Sequence, residues 1–238
     1  MEFDIVTAFP PMIEGPLSYS ILRRARESGI ITVRVHDLRD HATDRHHKVD
    51  DAPYGGGGGM VLMPAPLFSA VEAIREQHPA SLSRTILFCP QGATYDQAAA
   101  ARLAGYDRLI LLCGRYEGVD ERVREHLADE SISIGDYVLT GGEIPALVVI
   151  DSVARLMPGA LGDEEAARKD SFHEGMFDYP HYTRPADFRG WKVPEILLSG
   201  DHGQIAAWRR EEALRRTAKQ RPDLIARRPG RDDSTANH

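Results

Sequence analysis

The stretch from residue 109 to 157 constrains this chain more than any other part of it. It opens LILLCGRYEGVDERV, continues through SISIGDYVLTGGEIPA and closes LVVIDSVARLMPG. Residues 109–113 form a short continuous apolar run, the pattern of a strand buried on both faces. Gly114-Arg115-Tyr116-Glu117-Gly118 then turns the chain into the amphipathic segment 119–127. Ile132-Ser133-Ile134 is too short for a helix, and Gly135, Gly141 and Gly142 punctuate the stretch after it, with Thr140 and Glu143 as polar members. Pro145 suits the first turn of a helix, which the pattern carries to Met157 before Pro158-Gly159 stops it. As neighbours in one sheet, the two glycine-bearing strand ends would form a crevice of exposed backbone groups at the carboxyl ends of strands, where open α/β sheets bind ligands. The same glycines also suit the tight turns of any βα unit. Neither G-x-G-x-x-G nor G-x-x-x-x-G-K-[ST] occurs, which disfavours a dinucleotide site and a Walker-type nucleotide hydrolase.

The rest of the chain repeats an α/β rhythm. Residues 3–6 read as a first strand, 13–28 as a helix stopped by Gly29, 30–35 as a strand, 64–77 as a helix, 85–89 as a strand, 95–103 as a helix and 108–113 as the central strand. That alternation predicts a mostly parallel sheet with helices on both faces. The segment GDEEAARKD has no apolar stripe and reads as a linker. Beyond it Asp201, with Gln204 three residues later, marks a helix start, and Ile205, Trp208 and Leu214 among arginines give that helix an apolar and a basic side. The tail from Pro229 is expected to be disordered.

Of the 238 residues, 42% are hydrophobic and 27% charged, enough for one sizeable domain and a small one. No apolar run reaches the roughly 20 residues that span a bilayer, and MEFDIVTAFPP lacks the order of a signal peptide, so a cytoplasmic location without membrane partners is expected. Cys89 and Cys113 have no metal spacing and read as buried free thiols. The net charge of −7 is uneven: residues 204–231 carry nine Arg and Lys against three acids, a local +6. This suits a surface aimed at a polyanion and equally a solvated helix face.

Residues 41–60, HATDRHHKVDDAPYGGGGGM, place five consecutive glycines after three histidines and three aspartates. Such a loop is costly to order and brings unhindered N–H groups close to a ligand. A metal site from His41, Asp44, His46 and His47 is a weak case, because adjacent histidines off a helix do not converge.

Taken together, DRHHKVDDAPYGGGGGM, CPQG, LCGRYEGVDERV, SIGDYVLTGGEIPA, IDSVARLMPG, DSFHEG, PHYTRP and a VLLSGDH-like segment resemble, in order and over about residues 1–225, the bacterial tRNA (guanine-N1)-methyltransferases of the SPOUT class. The resemblance implies a mostly parallel SPOUT-type α/β sheet with a deep trefoil knot over about residues 89–157, although threaded chains are rare as a class. It also implies a small α-helical C-terminal domain. The expected division is a methyltransferase domain at 1–160, a flexible linker at 161–172 and a helical tRNA-binding domain at 173–238. S-adenosyl-L-methionine would lie in the knot against Pro90, Gly92, Gly114, Tyr116, Glu117, Gly118, Ile134, Gly135, Asp136, Tyr137, Val138, Leu139, Gly141, Gly142 and Pro145. The implied acceptor is N1 of guanosine 37 of tRNA, preceded by another guanosine, with Asp170 as base and Arg155 stabilising charge on O6. Read as bare sequence, Arg155 equally suits an ion pair with Asp151 four residues back, and Asp170 a solvated linker charge.

Asp51, Tyr54, Gly55, Gly56, Arg209 and Arg215 become substrate-side candidates. Gly58 stands where the family commonly has proline, which alters the expected stiffness of the loop. A homodimer is implied, with each site built from two subunits. The family's magnesium dependence makes Glu117 a possible holder of a hydrated ion, with no firm metal site. A non-catalytic tRNA-binding protein is the competing reading, and the presence of Asp170, Arg155 and both glycine turns weighs against it.

Overall fold

The computed structural model describes residues 1–162, 170–172 and 175–226. The chain forms two compact units, Met1–Gly162 and Asp163–His238. Most of the expected linker and the expected disordered tail lie outside the described residues.

The first unit is built on five strands: β1 (Glu2–Thr7), β2 (Thr32–Asp37), β5 (Ser83–Thr94), β6 (Arg108–Cys113) and β7 (Glu130–Ser133). They lie in the order β2-β1-β6-β5-β7, and every pairing is parallel. Two residue pairs, β3 (Asp50–Asp51) and β4 (Val61–Leu62), make a separate antiparallel ribbon. The helices are α1 (Pro11–Glu14), α2 (Ser20–Glu27), α3 (Pro64–Gln77), α4 (Gln97–Leu103), α5 (Glu121–His126) and α6 (Glu143–Ala154).

The continuous apolar run of β6 divides by strand periodicity between two cores. Leu109, Leu111 and Cys113 pack with Phe3, Ile5, Ile86 and the inner faces of α2 and α6, while Ile110 and Leu112 pack with Val6, Leu87 and α3 residues Leu67, Val71 and Ile74. A strand covered on both faces has no need of polar alternation, which is why 109–113 reads as it does.

Several boundaries differ from the sequence reading. The helix expected over 13–28 is broken into α1, a 3₁₀ turn at Pro16–Ser18 and α2, because Gly15-Pro16 interrupts it and Tyr19 is extended. β5 runs past Cys89 to Thr94, with a register shift between Phe88 and Ala93 against β7. α6 starts at Glu143, two residues before Pro145. The two glycine-bearing strand ends are not neighbours: β5 lies between β6 and β7.

At the amino end of the sheet, Asp4 is fully buried, with its carboxylate 2.8 Å from His36 Nε2 and 3.1 Å from Arg108 Nε. Glu2 accepts from Arg34 Nη2 at 3.0 Å and from Arg108 Nε at 3.1 Å. The Arg34 hydrogen bond, aided by Arg108 and opposed by partial burial, holds the Glu2 carboxyl down to about 2. Because the folded value lies below the ordinary 4.5, this group's contribution to stability is complete above pH about 4.5 and is lost as pH falls towards about 2. Thermal melting across that window should show a shallower acid decline for Glu2→Gln than for the parent. Equal slopes would show that the carboxylate does not carry this linkage.

The second unit contains a hairpin of β8 (Asp187–Phe188) and β9 (Trp191–Lys192), then α7 (His202–Gln220) and α8 (Pro222–Ala226). Asp201 caps α7 as the spacing predicted: its side chain accepts from Gln204 N at 3.0 Å, and Gln204 Nε2 donates back to it at 2.8 Å.

Candidate functional site

A crevice opens at the carboxyl ends of β6 and β7 and beside the middle of β5, where its register against β7 shifts. Its walls are Pro90 of β5, Gly114 to Gly118 after β6, and Ile134, Gly135, Tyr137 to Gly142 and Pro145 after β7. Thirteen of the fifteen residues assigned from sequence to the cofactor therefore line one cavity. The other two lie elsewhere. Asp136 is outside the lining. Gly92 packs on β7, where an added Cβ would lie 2.5 Å from Ile132 N, so it holds the strand pairing beneath the crevice.

Backbone fixes the two loops to each other. Gly142 N donates to Gly114 O at 2.9 Å, and Arg115 bridges Gly141 in antiparallel fashion. The approach at Gly142 is possible only without a side chain, since a Cβ would meet Cys113 Cα at 2.7 Å and Gly114 N at 3.1 Å. The apolar part of the wall comes from Leu87, Ile134, Val138 and Leu139, with Tyr137 OH donating to Ile134 O at 3.1 Å. Cys89 also lines the crevice and is partly exposed. Cys113 is buried, and burial together with Glu143 pushes its thiol well up, so it is inert as a nucleophile.

Sequence reasoning missed the ion pair that braces these loops. Glu143 is fully buried; its Oε1 accepts from Thr7 Oγ1 at 2.6 Å and from Arg115 Nε at 3.2 Å. Arg115 Nη2 lies 3.0 Å from Oε2 without hydrogen-bonding alignment, and Nη1 donates to Thr140 O at 3.3 Å. The guanidinium also sits 4.3 Å from the Phe9 ring centroid. One cation thus ties the end of β1, both crevice loops and the start of α6. The only signal for it in sequence is a lone arginine in the first glycine turn and a lone acid directly after the second.

The glycine loop is closed at its base by β3 and β4 and is joined to the crevice. Glu117 N donates to Met60 O at 3.0 Å, Leu62 N to Gly118 O at 3.0 Å and Asp120 N to Leu62 O at 2.9 Å. Gly59 presses on the Glu117 side chain, so that an added Cβ would lie 2.5 Å from its Cγ. Asp51 is exposed and pairs with Lys48 at 3.0 Å; Tyr54 is fully exposed. Gly55, Gly56, Gly57 and Gly59 all have left-handed φ, whereas Gly58 does not.

Among the described residues no group of three His, Cys, Asp or Glu side chains converges as a metal site. Asp44 instead accepts from the backbone of His46 at 2.7 Å and of Lys48 at 2.8 Å, so the metal set considered from sequence is a turn.

Arg155 caps α6 in the first unit and is exposed, and Asp170 is a half-buried residue of the second unit. In that unit Arg209 lies 4.6 Å over the Tyr179 ring, and Arg215 pairs with Glu212 at 2.6 Å on α7.

Comparison with known proteins places the whole chain in one family. A family model described as tRNA (Guanine-1)-methyltransferase TrmD matches residues 1–227. The chain is 57% identical over 226 residues to the tRNA (guanine-N(1)-)-methyltransferase of Brevibacillus brevis, covering 94% of this chain and 91% of that protein. It is 54% identical over 225 residues to the protein of the same name from Geobacter sulfurreducens, at 94% and 91% coverage. Against the protein so named from Dehalococcoides mccartyi strain 195 it is 54% identical over 225 residues, at 94% and 90%.

Proposed function

The chain belongs to the tRNA (guanine-1)-methyltransferase family and methylates guanosine of tRNA at N1; we propose that its acceptor is guanosine 37, preceded by another guanosine, and that the modification maintains the reading frame. The observation that carries the reading is the crevice in which Gly142 N meets Gly114 O at the carboxyl ends of parallel strands.

This crevice fits S-adenosyl-L-methionine. Backbone groups around the glycines suit adenine and ribose, and the aliphatic wall does not solvate a sulfonium whose positive charge disappears on transfer. When bound, the cofactor supplies an electrophilic methyl group. The protein's own part is to prepare N1, which carries a proton at neutral pH. Asp170 accepts that proton as the lone pair forms the new N–C bond, and Arg155 stabilises the charge that develops on O6. Asp51, Tyr54, Gly55 and Gly56 face the tRNA, and Arg209 and Arg215 contact its phosphates.

The knot expected over residues 89–157 is part of the same proposal, as is the division into a domain at 1–160, a linker at 161–172 and a tRNA-binding domain at 173–238. A homodimer is supported by α6, whose sequence EIPALVVIDSVA is apolar around most of its circumference while Ile144 and Val148 remain 48% and 40% exposed. A helix apolar on all sides calls for burial on all sides, and a second copy would cover this one. Magnesium, if used, would be held near Glu117, whose carboxylate stands at the junction of crevice and glycine loop. No described helix is long and apolar enough to cross a membrane, and work on tRNA fits the cytoplasm.

The test is methyl transfer to transcripts that differ only at position 37. A transcript with guanosine at 36 and 37 should be methylated, and one with adenosine at 37 should not. Equal transfer to both would place the acceptor elsewhere.

A further inference from the structure

The hairpin of β8 and β9 displays an arrangement that the methyl-transfer site does not use. Phe188 and Trp191 stand directly opposite each other, ring centroids 6.2 Å apart, and remain 52% and 71% exposed. The connecting residues Arg189 and Gly190 have φ of +57° and +84°, a two-residue turn with both centres left-handed. Such turns favour Asn-Gly, and arginine at the first centre is disfavoured by its side chain. Here the Arg189 guanidinium lies 5.1 Å from the Phe188 centroid, and Lys192 is exposed on the next strand. The acid of the hairpin, Asp187, is engaged by Gly190 N at 2.8 Å. Val193 N donates to Ala186 O at 2.8 Å, which anchors the base of the hairpin.

Cross-strand aromatic pairs do help hold a hairpin together, by roughly 0.2–1 kcal/mol. That role would favour rings turned onto each other, whereas most of Trp191 and half of Phe188 face solvent. Exposed aromatic faces flanked by cations are the composition of sequence-tolerant RNA contacts, in which bases stack and phosphates pair with the charges. Of the hairpin's two cations only Arg189 lies over a ring, since Lys192 follows Trp191 directly and shares the opposite strand face with Asp187. We propose that this hairpin is an RNA-contacting element, in which Trp191 and Phe188 stack on an unpaired base of the tRNA while Arg189 meets the adjacent phosphate. The proposal rests on the reading of tRNA as substrate.

The test uses the full-length protein and unmodified tRNA transcript. Trp191→Ala should weaken tRNA binding by about tenfold, in line with the loss of one stacked base. It should leave the salt dependence of binding, the affinity for S-adenosylmethionine and turnover at saturating tRNA unchanged. Arg189→Asn suits the left-handed turn and so removes the cation without harming the hairpin; it should lower the salt slope by about one. In a Trp208→Phe background Trp191 is the remaining tryptophan, and its fluorescence should be quenched on adding tRNA. Unchanged affinity and fluorescence, with the parent still binding and methylating tRNA, would overturn the hairpin assignment alone. Loss of self-association in Trp191→Ala with tRNA affinity intact would overturn it in favour of a protein interface. A parent that binds no tRNA would overturn the underlying reading as well.

Discussion

Asp170→Asn protein is expected to bind cofactor and tRNA nearly as well as the parent, yet to lose on the order of a hundredfold or more in single-turnover methyl transfer. Asparagine keeps the size and much of the hydrogen bonding of aspartate but cannot take the N1 proton. A base that acts mainly by its position loses little binding energy when it is neutralised and most of its effect on the chemical step. Asp170 lies eleven residues beyond Gly159, in the second unit, whereas the crevice belongs to the first. In the proposed reading this base acts by its position, and its assembly on substrate binding would also add selectivity. Single-turnover kinetics at saturating cofactor and tRNA measures the effect. Transfer at the parental rate would place the base elsewhere, with Glu117 the next residue to replace.

The second large effect is expected at Gly142. Its φ of −83° is open to any residue, so Gly142→Ala meets no backbone strain. The added methyl would instead fall 2.7 Å from Cys113 Cα and 3.1 Å from Gly114 N, backbone atoms that cannot turn aside. Inserting a methyl into such a contact costs roughly 1–3 kcal/mol. The strain is relieved by separating the two loops that form the crevice. Affinity for S-adenosylmethionine, measured calorimetrically without tRNA, should fall by about tenfold or more. Gly58→Ala is the control, since nothing lies within 4 Å of a Cβ there and its φ is not left-handed. Parental affinity in Gly142→Ala would mean that the junction of Gly142 with Gly114 does not shape the cofactor site.

How much of the fold was legible in the sequence depends on how far each signal reaches along the chain. The strand at 108–113 and the helix at 64–77 are where residue pattern placed them, because burial on both faces of β6 and the covering role of α3 leave local marks. The last residues of β5 were not legible. CPQGAT breaks the apolar run, and Gly92 serves a close approach to β7 that no neighbour in sequence announces. Strand order was equally hidden: parallel strands joined by crossovers carry no record of which ones are adjacent, and β5 entered between the two glycine turns.

The crevice lining was reached by matching motifs rather than by pattern. Thirteen assigned residues meet in one cavity because the ends of β6 and β7 converge on the middle of β5, and a motif match reports such convergence without explaining it. The Arg115–Glu143 pair escaped because an acid directly before an apolar helix looks like an exposed first-turn charge. Its burial is set by Thr7, 136 residues away, and by Arg115, 28 residues away. The Gly59 contact with Glu117 is of the same kind, a junction between loops made by the fold alone.

The assigned reaction is tested most simply by nucleoside analysis of an unmodified tRNA transcript after incubation with this protein and methyl-labelled S-adenosylmethionine. The label should appear in 1-methylguanosine and in no other nucleoside. Label in another methylated nucleoside, or tRNA left unlabelled by protein that binds both cofactor and tRNA, would contradict it.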